Sequence, residues 1–292
     1  MRIIVWAIVL FYSILFSVAY HCNHTKLGLF DPYGVGVVAR RNFRKGDIIE
    51  HPLVISIEHS FIKKTILSEY SMTKGRGSSE IVFGFGMMYN HHDISSIGIY
   101  FENTSYHVVA EKDIEAGEEM FMSYGQEWFR KRHISPRTPS TIVKSLPGCP
   151  YSLTRQVGHT LQATQVIKAG ETIEVVRAIM IPAVRTLYTS LDPFVWYRET
   201  STLGAMILLG NGPFYQAAPH PSKANVHYQW HTESPNHDQP LTCQEHMLLA
   251  FVARKDIQPG EVLTVPLHVE PISTSEGYRK RIFDVLLPQH CF

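Results

Sequence analysis

Three short segments of the chain carry residue types that could bind a small ligand and act on it. Gly34 and Gly36 flank Val35, and residues without a Cβ atom let the backbone approach a ligand closely. The polar residues Asn90 and His91 form a second segment. The plainer interpretation is a tight turn before a strand for the glycines and a polar loop at a chain crossing for the second segment.

The third segment holds a hydroxyl and two aromatic rings. Tyr124 is followed by Trp128 and Phe129, and the face of an aromatic ring attracts an ammonium cation. A buried tyrosine is more often a core residue with one hydrogen bond than a catalyst. A helix face packed on the core is an equally plain interpretation of Trp128 and Phe129.

Other constellations predict less chemistry. His227 and His231 lie in an alternating segment where they share a face without being adjacent, so they form a poor metal pair. The basic cluster at positions 40, 41, 44 and 45 is typical of a solvated turn. The sequence contains no H-E-x-x-H, phosphate loop or G-x-S-x-G motif, and it predicts no metal site.

Composition indicates a folded chain of two units. Of 292 residues, 45% are hydrophobic and 18% charged, which favours a buried core over disorder. This length suggests two units of roughly 100–150 residues. The 27 Lys and Arg against 26 Asp and Glu give a formal charge of +1, which argues against a nucleic-acid partner.

Short apolar runs rich in Val, Ile, Phe and Tyr, separated by Gly, Asn, Asp or Pro, predict a mainly β fold with few short helices. Strands are predicted at 35–39, 53–57, 106–110 and 119–124, and helices at 61–70 and 126–133. The polar, proline-containing stretch 135–140 breaks both kinds of element and predicts a domain boundary.

Three blocks of the first half recur in the same order in the second. They are 34–49 with 158–173, 85–90 with 211–216, and 110–118 with 253–261. The offset is 124 residues at the first pair, 126 at the second and 143 at the third. The blocks therefore predict a tandem duplication whose second copy has an extra loop of about 17 residues, near 231–246.

In order and spacing across residues 28–130, these blocks resemble the SET domain family of protein lysine methyltransferases. The first is similar to the opening G-x-G strand and turn, and residues 90–96 to the N-H-S-C-x-P-N loop. Residues 113–125 are similar to the closing segment with its Tyr-Gly ending. The resemblance implies two SET-like β-folds in tandem, with a knot-like closing segment in the first.

The expected organisation is a first SET-like domain at 20–134, a linker at 135–150, a degenerate second domain at 151–270 and a C-terminal tail at 271–292.

The resemblance also implies a reaction. Gly34, Val35 and Gly36 would contact S-adenosylmethionine, together with Asn90 and His91. Methyl transfer from a sulfonium to an amine needs an uncharged lysine, aligned reactants and a site that keeps water away. The matching tyrosine, Tyr124, would orient methyl group and nitrogen without becoming a nucleophile, and Trp128 and Phe129 would line the lysine channel.

The motifs depart from the family pattern at several positions. His92 and Asp93 replace the family's Ser and Cys, the Pro-Asn pair is absent, and no cysteine-rich segment follows. The second copy lacks the site residues and is predicted to be catalytically dead. Its replacements are Thr160 for Gly36, Gln216 for Asn90, Ala217 for His91 and Leu267 for Tyr124.

Residues 3–20 carry no charge, and Ser17, Val18 and Ala19 supply the small residues that signal peptidase reads. The sequence predicts a signal peptide at 1–19. A run of 18 residues also reaches the lower edge of the roughly 17–25 needed to span a bilayer, so an uncleaved anchor at 3–20 is the alternative. Either places the remainder in the secretory lumen or outside the cell, with membrane contact only if the leader is retained.

Two further features fit this compartment. Asn23 and Asn103 begin glycosylation sequons. The four cysteines, at positions 22, 149, 243 and 291, permit two disulfides in three pairings, or ordinary buried thiols. Their wide spacing argues against a structural zinc site.

Two functions follow from these patterns. The leading hypothesis is a protein-lysine methyltransferase that uses S-adenosylmethionine in its first domain and acts on a protein or peptide lysine. The alternative is a non-catalytic SET-fold binding protein of the secretory pathway. The retention of the site residues in one copy only favours the enzyme, because a scaffold would not require that set.

Overall fold

The computed structural model describes residues 20–21, 24–31, 34–74, 77–102, 105–133, 135, 141–145, 151–154, 160–182, 189–198, 201–230, 248–271 and 279–283. The predicted leader, all four cysteines, Asn23, Asn103, His231 and the loop 231–246 lie outside these residues. Strands dominate the described chain, which confirms the mainly β fold class.

Up to Ser145 the chain is built from twelve strands and two short α-helices within the described residues. The strands are β1 Tyr20–His21, β2 Thr25–Asp31, β3 Gly34–Ala39, β4 Ile48–Glu50, β5 Val54–Glu58, β6 Met72–Lys74, β7 Ser78–Val82, β8 Asn90–His91, β9 Ile97–Glu102, β10 Ser105–Ala110, β11 Glu119–Met122 and β12 Thr141–Ser145. The helices are α1 His59–Ile62 and α2 Gln126–Arg132, with a 3₁₀ helix at Ile66–Glu69.

The described chain after Ser145 is formed by strands and 3₁₀ turns. The strands are β13 Tyr151–Thr154, β14 Thr160–Ala163, β15 Thr172–Pro182, β16 Val195–Arg198, β17 Ser201–Leu208, β18 Gln216–Ala217, β19 Val226–Trp230, β20 Leu248–Ala253, β21 Thr264–Val265, β22 His268–Pro271 and β23 Arg279–Phe283. The 3₁₀ turns are Asp192–Phe194, Gly212–Phe214 and Pro221–Lys223.

The site lies in a five-stranded sheet of order β12-β2-β3-β11-β8. Strand β11 changes partner along its length. Glu119 and Met120 pair antiparallel with β3, whereas Phe121 and Met122 pair parallel with Asn90 and His91 of β8. Beyond Met120, no further backbone pairing joins β3 to β11 among the described residues.

The second half is dominated by a seven-stranded sheet of order β19-β20-β15-β17-β16-β23-β22. One of its strands, β20, is a continuous apolar run, and Leu248–Ala253 is buried at every position. Such runs are typical of strands covered on both faces. A small parallel pair, β18 with β21, stands in the second half where β8 and β11 stand in the first.

Equivalent turns in the two halves are closed by equivalent backbone hydrogen bonds. Gly46 N donates to Ala110 O, and in the second half Gly170 N donates to Ala253 O, both at 2.8 Å. Gly117 N donates to Ala39 O, and Gly260 N donates to Ala163 O, again at 2.8 Å. Phe43 forms a backbone bridge with Ile114, as Ile167 does with Ile257. These contacts join the residues that the sequence repeat aligns.

The sheets cross the expected domain boundaries. Strand β12, in the stretch predicted to be a linker, pairs antiparallel with β2 of the first half. Strand β1 pairs with β13 of the second half. Strand β23, in the predicted tail, pairs parallel with β16. Each half thus depends on strands from outside its expected boundaries.

The predicted helix at 61–70 is wrong in its length. Helix α1 ends at Ile62, and Lys64 adopts a left-handed φ of 67°. Both the backbone N–H and the hydroxyl of Thr65 donate to the Ile62 carbonyl, at 3.0 and 2.6 Å. A threonine hydroxyl competes in this way for helical hydrogen bonds, and the chain continues as the 3₁₀ helix.

The remaining predicted elements differ from the structure mainly at their ends. Helix α2 spans nearly all of the predicted 126–133, and the strands predicted at 35–39, 53–57 and 106–110 are present with ends shifted by one residue at most. The strand predicted at 119–124 stops at Met122, and Gly125 has a φ of 76° before α2 begins.

One apolar core joins the halves. Phe83 is fully buried, with ring centroids 5.1 Å from Phe194 and 5.9 Å from Phe214. Gly84 N donates to Gly210 O at 3.1 Å. Over the described ranges, no helix combines the length and apolar composition that crossing a membrane requires.

Candidate active site

The first wall of the site is the free edge of β3 at Val35. Asn90 Nδ2 donates to Val35 O at 3.2 Å. In an antiparallel strand the N–H and C=O of one residue point to the same edge, and those of its neighbours point to the opposite edge. The N–H of Val35 therefore faces the same side as its carbonyl. Gly34 and Gly36 direct theirs toward β2. The structure thus brings together the predicted glycine segment and Asn90.

A half-buried acid that the sequence did not single out lies beside Asn90. Asn90 Nδ2 also donates to Glu119 Oε1 at 2.7 Å. The second oxygen, Oε2, is buried and has no hydrogen-bond partner. Burial raises the pKa of Glu119 to about 7, although the Asn90 hydrogen bond opposes the rise.

His91 holds the closing segment. Its Nδ1 accepts a hydrogen bond from Tyr124 N at 3.0 Å, so Nε2 carries the proton of the neutral ring and faces Asp93 Oδ1 at 3.3 Å. The His91 side chain is only 8% exposed. Its ring centroid lies 4.4 Å from that of Phe129. His91 therefore positions Tyr124 rather than offering a free ring nitrogen to a ligand.

Tyr124 is partly buried, and its hydroxyl donates to the carbonyl of Tyr89 at 2.6 Å. Burial raises the pKa of Tyr124 well above its ordinary value; Tyr70 and Glu119 add to the rise, and the positive charge of Arg177 opposes it. The hydroxyl therefore stays protonated near neutral pH. Because its proton is used on Tyr89, its lone pairs remain to accept a hydrogen bond.

The two predicted channel residues have different surroundings. Trp128 packs on Tyr124, with ring centroids 4.9 Å apart, and Arg132 lies 4.1 Å over the Trp128 ring. Phe129 is buried behind His91 and Trp128. Trp128 borders the tyrosine, whereas Phe129 supports the wall from the core.

A second acid, which is buried, lies behind the tyrosine. Glu50 Oε1 accepts from the Tyr89 hydroxyl at 3.0 Å, and Oε2 accepts from Phe85 N at 3.2 Å. Burial raises the pKa of Glu50 to about 7, against the effect of these two hydrogen bonds. The residue whose carbonyl anchors Tyr124 is thus itself fixed by Glu50.

The residues of the second half that the sequence repeat aligns with the site keep one backbone contact but not the tyrosine. Thr264 N donates to Asn225 Oδ1 at 2.8 Å, as Phe121 N donates to Ser96 Oγ at 2.7 Å in the first half. Leu267, at the position of Tyr124, is 2% exposed. An apolar side chain therefore stands where the first half has a hydroxyl.

The remaining candidate groups lie elsewhere. The basic cluster is exposed on the turn before β4, and Arg41 approaches Asp47 at 3.7 Å. In the described part of the chain, no group of three or more His, Cys, Asp or Glu is placed to hold a metal ion. Because His231 lies outside that part, the His227–His231 pair stays untested.

The comparisons support the resemblance for the first half. A single SET domain is found, at residues 34–125. This range holds the β3 edge, Asn90, His91 and Tyr124. The match does not extend to the second half, so the tandem arrangement stays a prediction, as does the knot.

Two solved structures are similar to part of this chain. A crystal structure of a Plasmodium falciparum protein named as a histone methyltransferase is 28% identical, covering 37% of this chain and 97% of that one, with a TM-score of 0.32. A chain of apo ctPRC2 with mutations in Ezh2 is 22% identical, covering 42% of this chain and 19% of that one, with a TM-score of 0.32. No curated protein matches significantly.

Proposed function

We propose that the first half binds S-adenosylmethionine along the free edge of β3 and transfers its methyl group to a lysine amine of a protein or peptide. The observation that carries the proposal is the hydrogen bonding of Tyr124. Its hydroxyl is anchored on Tyr89 and its backbone on His91, with acceptor capacity left for an incoming amine.

The residues at the β3 edge fit the donor. SET domain methyltransferases generally use S-adenosylmethionine, which supplies an activated methyl group. The Val35 N–H offers a backbone donor, and the buried unpaired Oε2 of Glu119 offers an acceptor suited to an ammonium group. Asn90 keeps both in place by bonding to Val35 O and Glu119 Oε1.

Tyr124 acts by orientation. Because the pKa of Tyr124 is raised, its hydroxyl stays protonated near neutral pH and cannot take a proton from the lysine. The lysine must therefore arrive uncharged. An amine N–H donating to the hydroxyl oxygen aims the nitrogen lone pair, which is the alignment that an in-line displacement needs. The aromatic wall of Trp128, backed by Phe129, keeps water from the reacting atoms.

We also propose that the chain is a tandem duplication whose second half is not catalytic. The equivalent turns, the two parallel strand pairs and the matched roles of Ser96 and Asn225 support the duplication. The apolar Leu267 supports the loss of activity. The leader leads us to propose the secretory lumen, or the exterior, as the place of action.

Calorimetric titration of the full chain with S-adenosylmethionine tests the proposal. We expect Asn90→Ala to weaken binding by about tenfold or more, because two hydrogen bonds that shape the edge are lost. Tyr124→Phe should keep the affinity but slow methyl transfer to a lysine peptide library by about 100-fold.

Gln216→Ala is the matched control for Asn90→Ala, because it changes the exposed equivalent in the second half and should leave binding and transfer as in the wild type. Absence of heat from the wild-type chain would overturn the methyltransferase and leave the non-catalytic binding protein. Equal transfer rates for wild type and Tyr124→Phe would overturn the role of the hydroxyl.

A further inference from the structure

Arg177 of the second half extends its side chain to the first half. Arg177 lies in the middle of β15, where its carbonyl accepts from Leu209 N at 2.8 Å. Its side chain reaches the first half: Nη1 donates to the Tyr70 hydroxyl, and the guanidinium carbon lies 5.6 Å from the centre of the Tyr70 ring.

Tyr70 is tied to the aromatic wall of the site. It follows the 3₁₀ helix Ile66–Glu69, and Glu69 forms an ion pair with Arg132 of α2. Arg132 in turn covers Trp128, which packs on Tyr124. The Arg177–Tyr70 pair is therefore linked to the aromatic wall of the site through Glu69 and Arg132. In agreement, the charges of both residues act on the pKa of Tyr124.

The Arg177 guanidinium has few partners among the described residues. Within the described ranges, no acidic side chain forms an ion pair with Arg177. Its Nε is buried without a hydrogen-bond partner, and the partner of Nη1 is a neutral hydroxyl. A partly buried cation in this state is unfavourable unless an anion joins it. The planar fork of an arginine matches a carboxylate in particular.

We infer that Arg177, supported by Tyr70, forms a subsite for a carboxylate of the ligand held at Tyr124. The inference rests on the proposed function and deepens it, because it gives the second half a part in the site. Two sources carry this chemistry: the amino-acid portion of the methyl donor, and an acidic side chain near the target lysine.

The first test does not depend on methyl transfer. In the full chain, the NMR signal of the Arg177 Nε–H, identified by its loss in Arg177→Lys, should shift on titration with acetate and not with chloride of equal ionic strength. An unchanged signal in acetate would overturn the subsite.

The second test separates the sources. If the methyl donor is the source, Arg177→Met should weaken binding of S-adenosylhomocysteine by about tenfold, which is about 1.4 kcal/mol. In that case it should leave the binding of 5′-methylthioadenosine, which lacks the carboxylate, unaffected. If the peptide is the source, Arg177→Met should instead raise KM for peptides with Asp or Glu beside the lysine, and not for their Asn or Gln counterparts.

Controls keep the two proposals apart. Arg40→Met, an exposed change in the first half, should alter neither discrimination, and Tyr70→Phe should weaken the carboxylate preference while keeping the fold. If folded Arg177→Met binds the donor normally and loses no preference for ligands that carry a carboxylate, the inference is overturned and the proposed function stands. An acetate shift without any donor binding would overturn the proposed function and support the subsite.

Discussion

The buried acids show what single residues contribute at this site. Glu50 lies under Tyr89 and Glu119 beside Asn90, and burial raises the pKa of each to about 7. Both side chains therefore change protonation near pH 7, within the range of pH values found in cellular compartments.

Glu50→Gln should make stability less dependent on pH. The folded state holds the proton of Glu50 more tightly than the unfolded state, so the stabilisation is complete below about pH 4.5 and is lost as the pH rises through about 7. For the wild type this group alone lowers the free energy of unfolding by roughly 3 kcal/mol over that window.

Urea unfolding at pH 5, 6.5 and 8 measures the effect. The exposed Glu102→Gln is the matched control and should keep the wild-type dependence. A Glu50→Gln variant with the full wild-type slope would contradict the assignment. Glu119, whose pKa burial raises in the same direction, adds a slope of the same sign in both variants.

The sequence predicted the site residues that belong to a motif and missed those that depend on tertiary contacts. Asn90, His91 and Tyr124 are identified by their place in ordered blocks. Glu50, Glu119 and Arg177 look like any charged residue of a strand. Their importance comes from burial and from partners far along the chain, such as Tyr89 for Glu50.

At the scale of elements, the repeated glycine turns decide where the strands begin. Gly46 and Gly170 have φ values of 94° and 81°, in the left-handed region that disfavours a side chain. Added Cβ atoms there would meet nothing within 4 Å. Backbone strain alone therefore sets the effect of a substitution.

Gly46→Ala and Gly170→Ala should each lower the free energy of unfolding by about 1–2 kcal/mol, and by similar amounts, because the two turns are equivalent. Chemical denaturation measures both. Lys45→Ala, at an exposed neighbour, should change stability by less than about 0.5 kcal/mol. A large effect in one half only would refute the equivalence of the turns.

Local signals predicted the elements well where they were consistent. Alternation and apolar runs located the strands around Val35, Val54 and Val108. The helix at 61–70 failed because Thr65 bonds back to Ile62 and Lys64 takes a left-handed conformation. Propensity averaged over ten residues does not register such a local competition.

At the scale of the whole molecule, the halves are joined by aromatic packing and by shared strands. Phe83 of the first half lies between Phe194 and Phe214 of the second. The repeat offsets predicted two related halves. They could not predict that β1 and β12 would pair across the boundary, since strand pairing over long separations leaves no local signal.

Phe83→Ala should lower the free energy of unfolding by about 3–5 kcal/mol, because it removes a fully buried ring from the junction. Phe61→Ala, at a ring that is 37% exposed, is the matched control and should cost less than about 1.5 kcal/mol. Guanidinium denaturation followed by fluorescence and circular dichroism measures both. Separate transitions for the two halves in the wild type would contradict a common core.

The reach of Arg177 across to Tyr70 bears on when the protein becomes competent during its synthesis. The ribosome completes Tyr124 more than fifty residues before it adds Arg177, and later still it adds the phenylalanines that cover Phe83. A nascent chain therefore lacks the Arg177–Tyr70 contact and the cover of Phe83 until much of its second half has emerged. Premature stop codons in that half would remove these contacts even though every motif residue had already been translated.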